Sequence, residues 1–187
     1  MHIARNFLSA GLFCLAVGCS RSDDTLPLTG DYSLTPASAD GVTEKGMGEL
    51  HAGMSVPRAE AIVRSTLGPP PGVDSAQCRM ARWDGAPTGV SLMIDGGNVV
   101  RIDVDSGSVP TSAGARVGDP ESRIQELYAG RVALGPHKYI AGGHYLTVRP
   151  ANPADSAFRL IFETDGKQVI GYRAGRRPQV ENVERCG

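Results

Sequence analysis

His137 and His144 flank a predicted strand pair, which brings two imidazoles within reach of each other. Imidazole suits a zinc ion or proton transfer near neutral pH. A metal centre needs a third ligand, and the sequence offers none at a recognisable spacing. His51, His137 and His144 are therefore read as exposed polar side chains. Asp103 and Asp105 share one face of a predicted strand, as a calcium site or an acid pair would require. The usual calcium-loop spacing is absent, and alternating charge on a wet strand face accounts for both. Gly96-Gly97 and Gly142-Gly143 read as hairpin turns rather than nucleotide loops. No GxSxG, HExxH or SxxK occurs, and no phosphate loop with a following Lys. No catalytic residue, metal or cofactor is expected.

Recognition is the other chemistry these residue types offer. The single tryptophan stands at Trp83-Asp84, at a predicted strand end beside a Gly/Pro-rich loop. Tryptophan anchors many interfaces, and it equally plugs a core that is poor in aromatics. Tyr139, Tyr145 and Arg149 form a second candidate protein-binding patch with the same two readings. Arg173, Arg176, Arg177 and Arg185 give the C-terminal part a basic bias, read as solvated charge. A net charge of −1 gives no general attraction for nucleic acid.

Two of the four cysteines, Cys14 and Cys19, lie in an opening stretch with its own logic. Arg5 precedes an apolar run from Phe7 to Val17, which stops at Gly18-Cys19. That resembles a bacterial lipoprotein signal. The run is about half the roughly 20 residues that a membrane-spanning helix needs. Residues 1–18 are therefore expected to be a cleaved signal peptide, with Cys19 lipidated. Ala16 stands where the usual box has Leu, with Leu15 one place further back. Ser20 follows Cys19, where Asp would resemble an inner-membrane retention signal. The resemblance implies an outer-membrane anchor with the protein facing the periplasm. In that oxidising compartment Cys78 and Cys186 are expected to pair, since no CxxC is present. The bond would close a loop worth up to about 4–5 kcal/mol and tie the C-terminus to the middle of the fold.

Behind these residues stand the elements that must position them. Residues 19–47 are rich in Ser, Thr, Asp, Gly and Pro without apolar periodicity, and read as a flexible tether roughly 30 Å long. Beyond it, Ala59, Ile62, Val63 and Leu67 share a helical face, as do Ile124, Leu127 and Tyr128. Asp119 before Pro120 is the predicted N-cap of the second helix. Strands are predicted at Val90–Ile94, Val99–Val104, Phe158–Glu163 and Val169–Arg173, two hairpins with Asp-Gly turns. Further strands are expected near Gln77–Trp83, His137–Ala141 and His144–Val148. Along Val99–Val104 the apolar residues face a core, and Arg101, Asp103 and Asp105 face water.

Gly53-Met54-Ser55, a short helix, Leu67-Gly68 and then a hairpin form one unit. The second opens on Gly114-Ala115-Arg116 and closes its helix on Ala129-Gly130. The pattern resembles the repeat of the BamE (SmpA/OmlA) outer-membrane lipoproteins and of the beta-lactamase inhibitory proteins. It implies an α+β fold of two repeated helix-plus-hairpin units, 48–106 and 107–187, with helices on one face of an antiparallel sheet. It also implies a non-catalytic envelope lipoprotein that binds or assembles another envelope protein. The alternative it carries is an inhibitor or immunity protein for a periplasmic hydrolase.

Overall fold

Runs of alternating apolar and polar residues, broken by Asp-Gly turns, make β-structure dominant in this chain. The computed structural model describes residues 41–68, 72, 74, 77–107 and 109–186. The expected signal peptide, Cys19 and residues 20–40 lie outside them. In chain order the elements are β1 (Gly46–Met47), β2 (Leu50–His51), α1 (Val56–Val63), β3 (Arg79–Ala81), β4 (Val90–Asp95) and β5 (Asn98–Val104). Then come α2 (Glu121–Leu127), β6 (Val132–Pro136), β7 (His144–Val148), β8 (Phe158–Thr164) and β9 (Val169–Arg176). Single 3-10 turns occupy Pro153–Asp155 and Gln179–Glu181. No helix among the described residues is long and apolar enough to cross a membrane.

β1 and β2 pair with each other, and the other strands form one sheet in the order β3-β4-β5-β9-β8-β7-β6. Every pairing in it is antiparallel. Register then sorts the side chains by face. Leu146, Phe162, Tyr172, Val104 and Val90 form one row, and Val148, Leu160, Ala174, Ile102 and Leu92 the next. These residues are buried and make the centre of the core. Tyr128, Phe162 and Tyr172 pack as tilted rings 5.7 and 5.5 Å apart. The two buried hydroxyls are satisfied: Tyr128 Oη donates to Thr111 Oγ1 and Tyr172 Oη to the Val109 carbonyl. Burial pushes both phenols above their usual range.

The expected α+β architecture of two helix-plus-hairpin repeats is not the one the chain forms. A single seven-stranded sheet runs through both segments, because their last strands, β5 and β9, pair with each other. The helices are minor, with eight and seven residues, and each buries one residue, Ala59 and Ile124. Arg64 stops α1 with a left-handed backbone (φ 53°). α2 begins only after Pro120, and Asp119 accepts from the Arg116 N–H instead of capping the helix. The segment 137–141, expected as a strand, is a turn, and the strand precedes it as β6.

What recurs is a junction. Gly53 N–H donates to Val99 O, Val99 N–H to Met54 O, and Val56 N–H to Gly97 O. Gly118, Asp119, Val169, Glu121 and Lys167 repeat the same three bonds. The residue equivalent to Gly53 is thus Gly118, not Gly114. The chain also joins the fold earlier than residue 48: Val42, Met47 and Leu50 are fully buried, and Val42 N–H donates to Pro110 O at 2.9 Å. The expected tether therefore stops short of residue 42.

Candidate functional site

Neighbouring strands present directly opposed residues on the same face. On the face away from the core, Met93, Arg101, Gly175 and Arg159 form one row, and Ser91, Asp103, Arg173, Ile161 and Thr147 the next. Glu163, Tyr145 and Gly171 form a third. The sequence predicts this face to be wet. Arg101, Asp103 and Arg173 are instead 1%, 3% and 3% exposed.

The last residues of the chain bury them. Val180 is fully buried, and the backbone around it supplies the acceptors a buried guanidinium needs. Arg101 Nη1 donates to the carbonyls of Gln179 (3.3 Å) and Asn182 (2.5 Å), while its Nε and Nη2 grip Asp103 at 2.9 and 2.5 Å. Arg173 Nε donates to Val180 O at 2.6 Å, and its Nη1 pairs with Glu163. Burial lowers the Arg173 pKa, opposed by Glu163. Arg185 binds both oxygens of Asp105, at 2.8 and 2.7 Å. Cys186 is bonded to Cys78 across 108 residues, with Cα atoms 5.4 Å apart. The segment 177–186 is therefore a strap held by backbone acceptors, ion pairs and a disulfide. Beneath it, where Gly171 lacks a side chain, lies a cavity of about 190 Å³ walled by Glu163, Arg173, Arg185 and Asp105. These four charged groups pair among themselves. A second cavity of about 270 Å³ lies between residues 42–45 and 150–155, spanned by the Lys45–Asp155 pair at 2.7 Å.

One rim of this face gathers two of the predicted recognition residues. Tyr145 on β7 stacks on His137 with centroids 4.5 Å apart, and the Arg173 guanidinium lies 5.6 Å from its ring. The His137 side chain, 5% exposed, is not the surface group predicted. Its Nδ1 accepts from the backbone N–H groups of Tyr139 and Ile140, both at 3.1 Å. That assigns the neutral ring's proton to Nε2, which faces Glu163 Oε2 at 3.4 Å. The turn so formed presents Tyr139 at 62% exposure. The ring is nevertheless held: its hydroxyl bonds Glu184 and Lys138 Nζ sits 5.0 Å from its centroid. Lys138 and Glu184 pair at 2.6 Å, which holds the ammonium above and the carboxyl below their ordinary pKa values.

The other predicted residues lie apart. Trp83 follows β3, with β4, β5, β9 and β8 between its edge and β7; it is half-buried and packs against the core as a plug. Asp84 beside it is exposed and its N–H donates to Ser65 Oγ. Arg149, one residue past the end of β7, is exposed and about 13 Å along the strand direction from Tyr145. His144 bonds Glu121 at 2.9 Å, so the two histidines serve different carboxylates. No group of three or more His, Cys, Asp or Glu among the described residues is placed to hold a metal. Sequence reasoning misses Leu134, which at 56% is the other strongly exposed large apolar side chain described, and Glu184. The apolar run Val132-Ala133-Leu134 is the available signal for the first; Glu184 reaches Tyr139 only through the strap.

No protein-family model matches the chain. No curated protein matches it in sequence. Among solved structures it is similar to the crystal structure of the uncharacterized protein yfeY from Escherichia coli, at a TM-score of 0.38 and 18% identity, over 73% of this chain and 99% of that one. A likeness that distant bears on neither fold nor function.

Proposed function

We propose that this chain is a non-catalytic lipoprotein of the bacterial envelope, anchored in the outer membrane through Cys19 and facing the periplasm, where it binds another envelope protein. The observation that carries the binding role is Tyr139. A large aromatic side chain that is exposed yet fixed by Glu184, Lys138 and the His137 turn has already given up the freedom that binding would cost. Tyrosine is enriched among residues that dominate interfaces. Lys138 and Glu184 flank it with one charge of each sign, as a polar rim does. The anchor rests on Arg5, the apolar run and Gly18-Cys19, and the resemblance of Gly53-Met54-Ser55 and Leu67-Gly68 to the BamE lipoproteins favours an assembly partner.

In-cell crosslinking of the full chain beside its Tyr139→Ala variant tests this. One partner captured by the parent and reduced at least about tenfold by the variant, with thermal unfolding unchanged, is the expected result. Equal recovery from both proteins overturns the role given to Tyr139. A periplasmic hydrolase as the Tyr139-dependent partner replaces assembly by inhibition. Mass spectrometry of the mature N-terminus tests the anchor separately, and an unmodified Cys19 removes it.

A further inference from the structure

β6 is an edge strand, and two backbone bonds fix which of its polar groups point outward. Arg149 N–H donates to Arg131 O and His137 N–H to Gly143 O. Antiparallel pairs alternate, so Ala133 and Gly135 bond β7, while the N–H and C=O of Val132 and Leu134 and the C=O of Pro136 point outward. No described residue bonds these groups. Pro136 has no N–H, so a foreign strand running the length of β6 meets a missing donor.

We propose that β6 pairs antiparallel with β6 of a second copy about a twofold axis at Ala133, joining two seven-stranded sheets into one. In this register Val132 faces Leu134 of the second copy, and the reverse. All four outward N–H and C=O groups of Val132 and Leu134 are then satisfied in each chain, and the proline lies beyond the paired region. Leu134, more than half exposed in the single chain, packs on Val132 of the other. Ala133 meets its own copy in a non-bonded pair, where Cα atoms approach to about 4.5 Å and small side chains fit. Gly135 falls opposite Arg131 of the second copy. That arginine's guanidinium stays with its own chain, on Glu44, the Arg149 carbonyl and the Tyr128 ring, and leaves the space beside Gly135 open. No charged residue occurs from 132 to 136, and Arg131 beside them is paired with Glu44, so no unpaired charge faces a copy of itself. The contact is isologous, closes at two chains and hides an edge that would otherwise invite aggregation. It goes beyond the Tyr139 reading and does not depend on it.

The test uses the full chain in detergent, with single cysteines placed at Ala133 or, as a control, at exposed Ser122 on α2. Under mild oxidation Ala133→Cys is expected to form a disulfide-linked dimer about tenfold faster than Ser122→Cys, since a Cα separation of about 4.5 Å lies within disulfide reach. Leu134 is 56% exposed in the single chain, so Leu134→Lys is expected to leave its thermal unfolding unchanged and, by setting a charge against Val132 of the second copy, to shift sedimentation from dimer toward monomer. Equal linking rates at 133 and 122 overturn the proposal. So does a monomer at about 100 µM protein. A thiol at 133 shielded from reagent in a monomeric protein would assign the edge to another segment of the same chain instead.

Discussion

Arg101 and Asp103 stand two residues apart on β5 and clasp each other through two hydrogen bonds, with side chains 2% and 5% exposed. Both lie under backbone that belongs to the strap at the end of the chain. Removing one member of a buried pair leaves the other charged and uncompensated, which costs more than the intact pair contributes. Asp103→Asn is expected to destabilise the fold by about 3 kcal/mol, read from the shift of the urea midpoint at unchanged slope. A loss below about 0.5 kcal/mol would mean that the Gln179 and Asn182 carbonyls alone satisfy Arg101.

Cys186 holds the end of the strap that covers this pair. Replacing it by Ser opens a loop of 108 residues and is expected to cost up to about 4–5 kcal/mol through the unfolded chain. The distinctive sign is local. Amide exchange should rise first in 177–186, then at β5 and β9, whose polar side chains lose their carbonyl partners, while β4 stays protected. Exchange rising evenly across the sheet would show that the bond stabilises only globally.

The hairpins are legible in the sequence because their signals are local: alternation on either side of Asp95-Gly96 and Asp165-Gly166 sets turn and register within a dozen residues. The burial of Arg101 and Asp103 is not, because the residues that dry their face lie some eighty positions later. The pairing of Cys78 with Cys186 is the sequence's one pointer to such a covering. The repeat misleads for a related reason. A glycine and a helix recur, and the junction they make is real at Gly53 and Gly118, but the pairing of β5 with β9 merges the two hairpins into one sheet. β6 escapes sequence reasoning because Val132 to Pro136 carries no alternation and is defined only by its neighbour β7. Tyr139 and Tyr145 stand out by residue type alone, whereas the role of His137 in joining them depends on the turn that buries its ring.

Two glycines on β9 separate backbone approach from mere space. A Cβ at Gly175 would lie 2.4 Å from Val100 O and 2.7 Å from Arg101 Cα, both backbone atoms of β5 that cannot step aside. At Gly171 the nearest atom is 3.4 Å away, an ordinary contact at the cavity wall. Gly175→Ala is expected to cost about 2–3 kcal/mol by forcing β5 and β9 apart at the seam of the sheet, and Gly171→Ala under about 1 kcal/mol. Thermal unfolding of the two variants side by side checks the order. Equal losses would place the strain in the strand rather than in its neighbour.

The Tyr139 rim should answer to acid before the fold does. Glu184 has its carboxyl held below the ordinary value of 4.5, first by the hydrogen bond from Lys138 and then by that from Tyr139. A depressed carboxylate contributes above its unfolded pKa and loses that contribution as pH falls through the folded one. Lys138 is raised, so its share persists through neutral pH and is lost only on the alkaline side. Both groups are on the surface, so the effect is on the posture of Tyr139 and hardly on stability. Chemical shifts of the Tyr139 ring should hold from neutrality to about pH 5 and change below the ordinary carboxylate range, with β8 and β9 amides unmoved. Glu184→Gln removes the titrating group, and its Tyr139 signals should show the acid form already at neutral pH. If that variant instead keeps the parent's shifts and its acid transition, the tyrosine is held by the His137 turn alone, and Glu184 is a bystander to the surface it borders.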